Sequence, residues 1–188
     1  MYAILRQIYR TGIRSEPAPA SDATLDRRVQ EIQADILRSV GRALAIRHLD
    51  TGSCNGCELE IGALGNPYYN IEGLGAHFVA SPRHADLLLV TGPLSRHMLT
   101  AMRRTWEAMP EPRLVVAVGD CAKDGGVFGE SYACCGGVLN HLPVDVLVPG
   151  CPPSPLAILQ GILSAVAGRG GTPVQSQSIS GQTGENLG

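Results

Sequence analysis

Cys54 and Cys57 form a Cys-Asn-Gly-Cys pair, and two solitary cysteines follow at Cys121 and Cys151. A Cys-x-x-Cys turn brings two thiolates close together, and two more from elsewhere complete a set of four, one for each iron of a 4Fe-4S cube. Each stands in a glycine-rich or proline-locked stretch: Gly52-Ser-Cys54-Asn-Gly56-Cys57, Gly119-Asp-Cys121 with Gly125-Gly126 behind it, and Gly150-Cys151-Pro152-Pro153. Glycine lets the backbone approach a bulky inorganic core, and amide hydrogens there can bond to its sulfurs. Pro152 and Pro153 have no amide hydrogen to give, so their expected part is to stiffen the loop and stop strand pairing.

Zinc also takes four thiolates, but its ribbons usually bring two close pairs. Here one pair is joined by single cysteines 64 and 30 residues further along. A redox dithiol is the other rival for the Cys-x-x-Cys pair, and it leaves Cys121 and Cys151 unexplained. Cys134 and Cys135, adjacent in Tyr132-Ala-Cys-Cys-Gly-Gly137, are read as small core residues. Glu58, directly after Cys57, could hydrogen-bond near a cluster or pass protons, although such a residue more commonly caps a helix or pairs with an arginine. His84 could couple protonation to cluster reduction because an unperturbed imidazole titrates near neutrality; a structural histidine is the commoner case. His48 and His141 fall in no pattern.

The elements that must position these residues read as α/β. Ala43 to Leu49, Leu114 to Val118 and Val144 to Val148 are apolar runs that each lead into a cysteine-bearing loop, and Ala76 to Ala80 and Asp86 to Val90 are further strand candidates. In a mostly parallel sheet such loops emerge together at the carboxyl edge, where open α/β folds bind ligands. Helical spacing marks Thr24 to Val40, through Leu25, Val29, Ile32, Ile36 and Val40, as a surface helix stopped by Gly41. Glu58 to Leu64 reads as a short helix and Pro93 to Met109 as a longer one, whose stripe of Leu94, Met98, Leu99, Met102 and Trp106 suits core packing. Ser154-Pro155 opens the last helix.

Residues 1 to 40 read as an extension and surface helix, 41 to 169 as the iron-sulfur α/β domain, and 170 to 188 as a flexible tail of glycine, serine, glutamine and threonine. Met1 to Arg14 can be drawn as an amphipathic helix with Ile4, Leu5 and Ile8 on one side and Arg6, Arg10 and Arg14 toward the other, able to touch a membrane surface or a partner subunit. Glu16 to Ser21 reads as a linker.

The chain of 188 residues is 44% apolar with a net charge of −2, and its arginines gather early: residues 1 to 47 hold eight Arg against five acidic residues, the remainder seven basic against twelve acidic. Eight aromatic residues and a mild negative charge make nucleic acid a poor partner. No run approaches the roughly 18 apolar residues of a membrane helix, and the polar, arginine-dotted start lacks the apolar core of a signal peptide. Arg27-Arg28 is followed by Val-Gln-Glu-Ile-Gln-Ala-Asp rather than an apolar export stretch. The expected location is cytoplasmic, where six cysteines suit metal binding rather than a disulfide framework.

Four segments carry a family resemblance: Gly52-Ser-Cys54-Asn-Gly-Cys57-Glu-Leu-Glu60, Ser81-Pro-Arg-His-Ala-Asp-Leu-Leu-Leu-Val-Thr-Gly92, Gly119-Asp-Cys121-Ala-Lys-Asp-Gly-Gly-Val-Phe128 and Val144-Asp-Val-Leu-Val-Pro-Gly-Cys151-Pro-Pro153. Over residues 40 to 168 they resemble the small subunit of membrane-bound group 4 nickel-iron hydrogenases, of the formate hydrogenlyase and hydrogenase-4 type, and its relative, the 20 kDa iron-sulfur subunit of respiratory complex I. The complex I branch carries two adjacent cysteines at the first motif, whereas hydrogenase small subunits carry Cys-x-x-Cys as here. Cys134-Cys135 lies far downstream and cannot stand in for the complex I motif; the pair looks unusual for the family.

The resemblance implies a flavodoxin-like fold with helices on both faces. Cys54, Cys57, Cys121 and Cys151 would hold one proximal 4Fe-4S cluster at the carboxyl edge. It implies a relay of electrons between a nickel-iron site on a separate large subunit and a ferredoxin-like iron-sulfur subunit, in a complex with integral membrane subunits at the cytoplasmic face of the inner membrane. A chain of this kind would not be catalytic alone. The alternative is the terminal-cluster subunit of a complex I-like NADH:quinone oxidoreductase. Uptake hydrogenase small subunits carry an export signal and a further cluster domain; the sequence shows neither, which fits the compact cytoplasmic branch.

Overall fold

The computed structural model describes residues 2–12 and 23–168. The expected linker and the expected tail at 170–188 lie outside the described residues. Five strands alternate with helices: α1 (Tyr2–Thr11), α2 (Ala23–Val40), β1 (Leu44–Asp50), α3 (Gly56–Ala63), β2 (Ala76–Phe78), β3 (Leu87–Thr91), α4 (Arg96–Glu107), β4 (Leu114–Val118), α5 (Asp120–Asp124), β5 (Val146–Val148) and α6 (Pro155–Gly168). All pairings are parallel and the strand order is β2-β1-β3-β4-β5. This is the flavodoxin-like order, in which the chain reverses direction across the sheet between β1 and β3.

The sheet is buried on both sides, so β3 and β4 read as continuous apolar runs rather than alternating ones. Successive side chains point to opposite faces. Leu87, Leu89, Val116 and Val118 pack with Ile36 of α2, Ile61 of α3 and Ile158 and Ile162 of α6. Leu88, Val90, Val115 and Ala117 pack with Met102 of α4, Ala122 of α5, Val138 and Leu142. Met102 is fully buried and Met98, Leu99 and Trp106 border it, so the methionine stripe is core, as expected.

Element boundaries moved where side chains claim backbone groups. The helix expected from Pro93 begins only at Arg96, because Ser95 is its cap and accepts from the Met98 amide at 3.4 Å. Pro93 and Leu94 instead run beside the later loop, with the Leu94 amide donating to Gly136 O and the Cys135 amide donating to Leu94 O. β5 starts at Val146, because Asp145 reaches sideways: its Oδ2 accepts from the Val115 amide at 2.7 Å.

The amino edge of the sheet is closed by a second carboxylate. Asp86 is buried, its Oδ2 accepts from the Ala45 amide at 3.1 Å, and its Oδ1 meets Arg42 Nη2 at 2.9 Å. His84 sits in a single 3-10 turn, Pro82–His84, just before β3. It is exposed and stands at the amino edge, away from the cysteines, which removes the expected basis for coupling it to them.

Candidate metal centre

At the carboxyl edge the chain makes three turns that carry the cysteines. After β1, Asp50 Oδ1 accepts from the amides of Gly52 and Ser53 at 2.7 and 2.8 Å, and the buried Thr51 hydroxyl donates to Thr91 O at 2.8 Å. Asn55, at φ 71°, then turns the chain into α3. Cys57 therefore lies in the first turn of a helix and Cys121 in the first turn of α5, where the sequence had suggested loops. Asp120 ties the last two turns together: its amide donates to Gly150 O, and its carboxylate accepts from the Gly150 amide, both at 3.0 Å.

These turns bring Cys54, Cys57, Cys121 and Cys151 to the wall of one small cleft of about 80 Å3, shared with Ser53, Gly56, Gly92, Gly119, Asp120, Gly150 and Pro152. Cys54 and Cys151 face outward, while Cys57 and Cys121 are half-buried. The glycines are required by proximity as well as by φ. A Cβ on Gly119, at φ +89°, would stand 2.9 Å from Cys57 Sγ, and one on Gly126, at φ +53°, 2.9 Å from Cys121 Sγ.

Burial pushes the Cys57 thiol up to about 12, with Glu58 and then the three other thiols adding to the shift. Cys121 is raised by burial and next by Cys151 and Cys54. Clustered thiols of this kind resist ionising together unless a cation sits among them. Among the described residues, no three His, Cys, Asp or Glu side chains converge closely enough to hold a single metal ion. Four thiols drawn from three turns match in number the four irons of a cube.

Cys134 and Cys135 stand elsewhere. They form isolated bridges with Ser95 and Glu130, Cys134 is buried, and Cys135 packs against the core on the α4 face, in line with the core reading.

Beside the cysteine cleft lies a larger one of about 490 Å3, lined by Arg47, His48, Glu58, Ile61, Phe78 and Val79 among others. Glu58 neither caps α3 nor pairs with an arginine. Both its carboxylate oxygens are buried without a hydrogen-bond partner, and so is Arg47 Nε. His48 Nε2 lies 3.1 Å from Thr91 Oγ1 and 3.9 Å from Glu58 Oε1. Burial lowers the His48 pKa and outweighs the opposing pull of Glu58, so the imidazole is neutral at pH 7 and the approach to Glu58 is not an ion pair there. The sequence reading passed over His48, Arg47 and Asp120. The available signal was two polar residues, Arg47 and His48, inside the otherwise apolar β1, a few positions before the cysteine turn.

A parallel α/β domain with four thiols gathered at the carboxyl edge of its sheet defines the class, a flavodoxin-like module with a cysteine-lined cleft. The chain belongs to the family described as the NADH ubiquinone oxidoreductase, 20 kDa subunit, whose sequence profile matches residues 54–165. It is 40% identical over 143 residues to formate hydrogenlyase subunit 7 of Escherichia coli, covering 76% of this chain and 56% of that protein, so it spans little more than half that relative's length. It is 43% identical over 140 residues to the probable membrane-bound hydrogenase subunit mbhJ of Pyrococcus furiosus, covering 74% of this chain and 84% of that one. Among solved structures it resembles a chain of an archaeal respiratory membrane complex, the membrane-bound sulfane sulfur reductase, with a TM-score of 0.61 and 31% identity over 71% of this chain and 75% of that one.

Proposed function

We propose that this chain is the electron-transfer subunit carrying the proximal 4Fe-4S cluster of a membrane-associated nickel-iron hydrogenase complex, with Cys54, Cys57, Cys121 and Cys151 as its ligands. The observation that carries the reading is the convergence of these four thiols on one cleft, where a Cβ on Gly92, Gly119 or Gly150 would collide with its neighbours. When bound, the cluster supplies one-electron transfer. The chain's own residues supply thiolates and close backbone approach, and Asp120 clasps the Cys121 and Cys151 turns together. In this reading Glu58 would be a proton relay beside the site; both its carboxylate oxygens are without a hydrogen-bond partner, and it lines the neighbouring cleft.

The nickel and iron of the active site would sit on a large subunit, with a ferredoxin-like iron-sulfur subunit beyond and integral membrane subunits beneath, at the cytoplasmic face. Exposed Val127 and Phe128, just past the Cys121 helix, give such a subunit an apolar surface to cover next to the cluster. The names of the E. coli and P. furiosus relatives, together with the Cys-x-x-Cys spacing, favour the hydrogenase branch. A second reading, a cluster-bearing subunit of a nickel-free complex I-like enzyme, draws on the family description and on the sulfane sulfur reductase likeness.

The test is low-temperature EPR of the dithionite-reduced, anaerobically purified complex, with iron, sulfide and nickel assayed on the same sample. A 4Fe-4S signal that Cys121→Ser removes, beside those of the ferredoxin-like subunit, is expected with about one nickel per complex. The same signal without nickel would favour the second reading, and no cluster would end the electron-transfer proposal. Cys121→Ser should abolish the complete cluster while Cys135→Ser retains it; equal losses of iron and sulfide in the two would overturn the ligand assignment.

A further inference from the structure

α1 runs for ten residues without burying one. Ile4, Leu5 and Ile8 are 63%, 61% and 59% exposed, an arrangement that costs solubility unless something covers it. At about 100° per residue, these three side chains form one apolar stripe. Tyr2 and Tyr9 follow at its border, and Arg6 and Arg10 lie beyond them, with no acidic residue anywhere in the helix.

We propose that α1 is an interfacial anchor that lies in the plane of an anionic lipid surface, its isoleucines and leucine among the acyl chains and its arginines on the headgroups. Charge complementarity selects this occupant. A second copy of the helix brings no acidic residue to meet the guanidiniums, whereas a continuous sheet of phosphates satisfies both at once. The tyrosines stand where an aromatic ring with a polar tip prefers to sit, between hydrocarbon and water. Ten residues rise only about 15 Å, too short to span a bilayer. The described residues contain no helix long and apolar enough to cross one. One short apolar stripe makes a reversible contact that cooperates with other subunits rather than replacing them. The inference is independent of the cluster, and either can fail while the other stands.

The experiment is flotation of the full chain with phosphatidylcholine vesicles prepared with and without phosphatidylglycerol, at low and high salt. Binding is expected only to the vesicles that contain phosphatidylglycerol, and it should weaken as salt screens the charges. Replacing both arginines, Arg6→Gln with Arg10→Gln, should weaken it about thirtyfold, since each cationic side chain near an anionic surface contributes about a factor of five. Ile4→Glu with Ile8→Glu should weaken it at least about tenfold. Because α1 buries no residue, all variants should keep the wild-type thermal melt. Equal binding to both vesicle types, or wild-type binding by the Ile4→Glu/Ile8→Glu variant, would overturn the proposal. So would an absence of vesicle binding with α1 instead cross-linking to a protein subunit in the native complex.

Discussion

The two edges of the sheet use their acidic side chains differently. At the amino edge the carboxylates are satisfied by the chain itself: buried Asp86 takes the Ala45 amide and Arg42, and exposed Asp145 takes the Val115 amide. At the carboxyl edge Glu58 has both oxygens buried without a donor, and burial, with Glu58 and then the other three thiols adding to it, pushes the Cys57 thiol up to about 12. A buried polar group without a partner is destabilising. Trp106 Nε1 and Arg113 Nε are such groups near the start of β4, but among the described residues Glu58 is the one whose unpartnered atoms belong to a carboxylate, and it directly follows Cys57.

The largest expected effect is at Gly119. Gly119→Ala puts a Cβ 2.9 Å from Cys57 Sγ at a backbone angle of +89°, so iron and sulfide content should fall to near background, with about 1–3 kcal/mol of strain added to the fold. Gly62→Ala in α3, where a Cβ meets nothing within 4 Å, is the matched control and should load normally. Full loading in the Gly119 variant would break the distinction between the edges.

Asp86→Ala should do the reverse. It leaves the Ala45 amide without its side-chain acceptor and Arg42 unpaired, and should cost about 2–3 kcal/mol in a denaturant melt while the folded fraction still takes a full cluster. Arg42 is largely exposed, so most of that loss should trace to the buried backbone bond rather than the ion pair. Cluster loss in Asp86→Ala under conditions where the chain is folded would mean that the edges are not separable.

His48→Gln is the smallest and sharpens the boundary. Burial lowers the His48 pKa, so the folded state resists a proton that the unfolded chain accepts. Its contribution is fully present above the ordinary value of 6.5 and is lost as pH falls through the lowered one. Stability of the wild type should therefore drop below pH 6.5 more steeply than that of His48→Gln, read as midpoint against pH in urea. Parallel profiles would remove His48 from the electrostatics of this edge.

Much of this was legible in the residues alone. Apolar runs such as Leu114 to Val118 and Asp86 to Val90 read as buried strands, and the spacing from Leu25 to Val40 reads as a helix, and both are so in the structure. Together with the four cysteines after strand candidates, they already placed the chemistry at one edge of an α/β sheet. Local side-chain claims on the backbone were less visible: Ser95 delayed α4, Asp145 shortened β5, and the cysteines 57 and 121 fell inside helical turns.

Residue type and spacing by themselves determined which thiols could act together, because periodicity and glycine or proline punctuation are local properties that each segment carries with it. Only the tertiary structure decided what surrounds them. Glu58 is unpaired because no donor from another element reaches it within hydrogen-bond distance, and the His48 pKa is lowered because packing partly buries a ring that the sequence leaves unplaced. Asp120 matters because β4 and β5 are neighbours, which lets one carboxylate reach across to the Gly150 amide. Burial, desolvation and the meeting of distant turns are properties of the packed sheet, and no single segment encodes them.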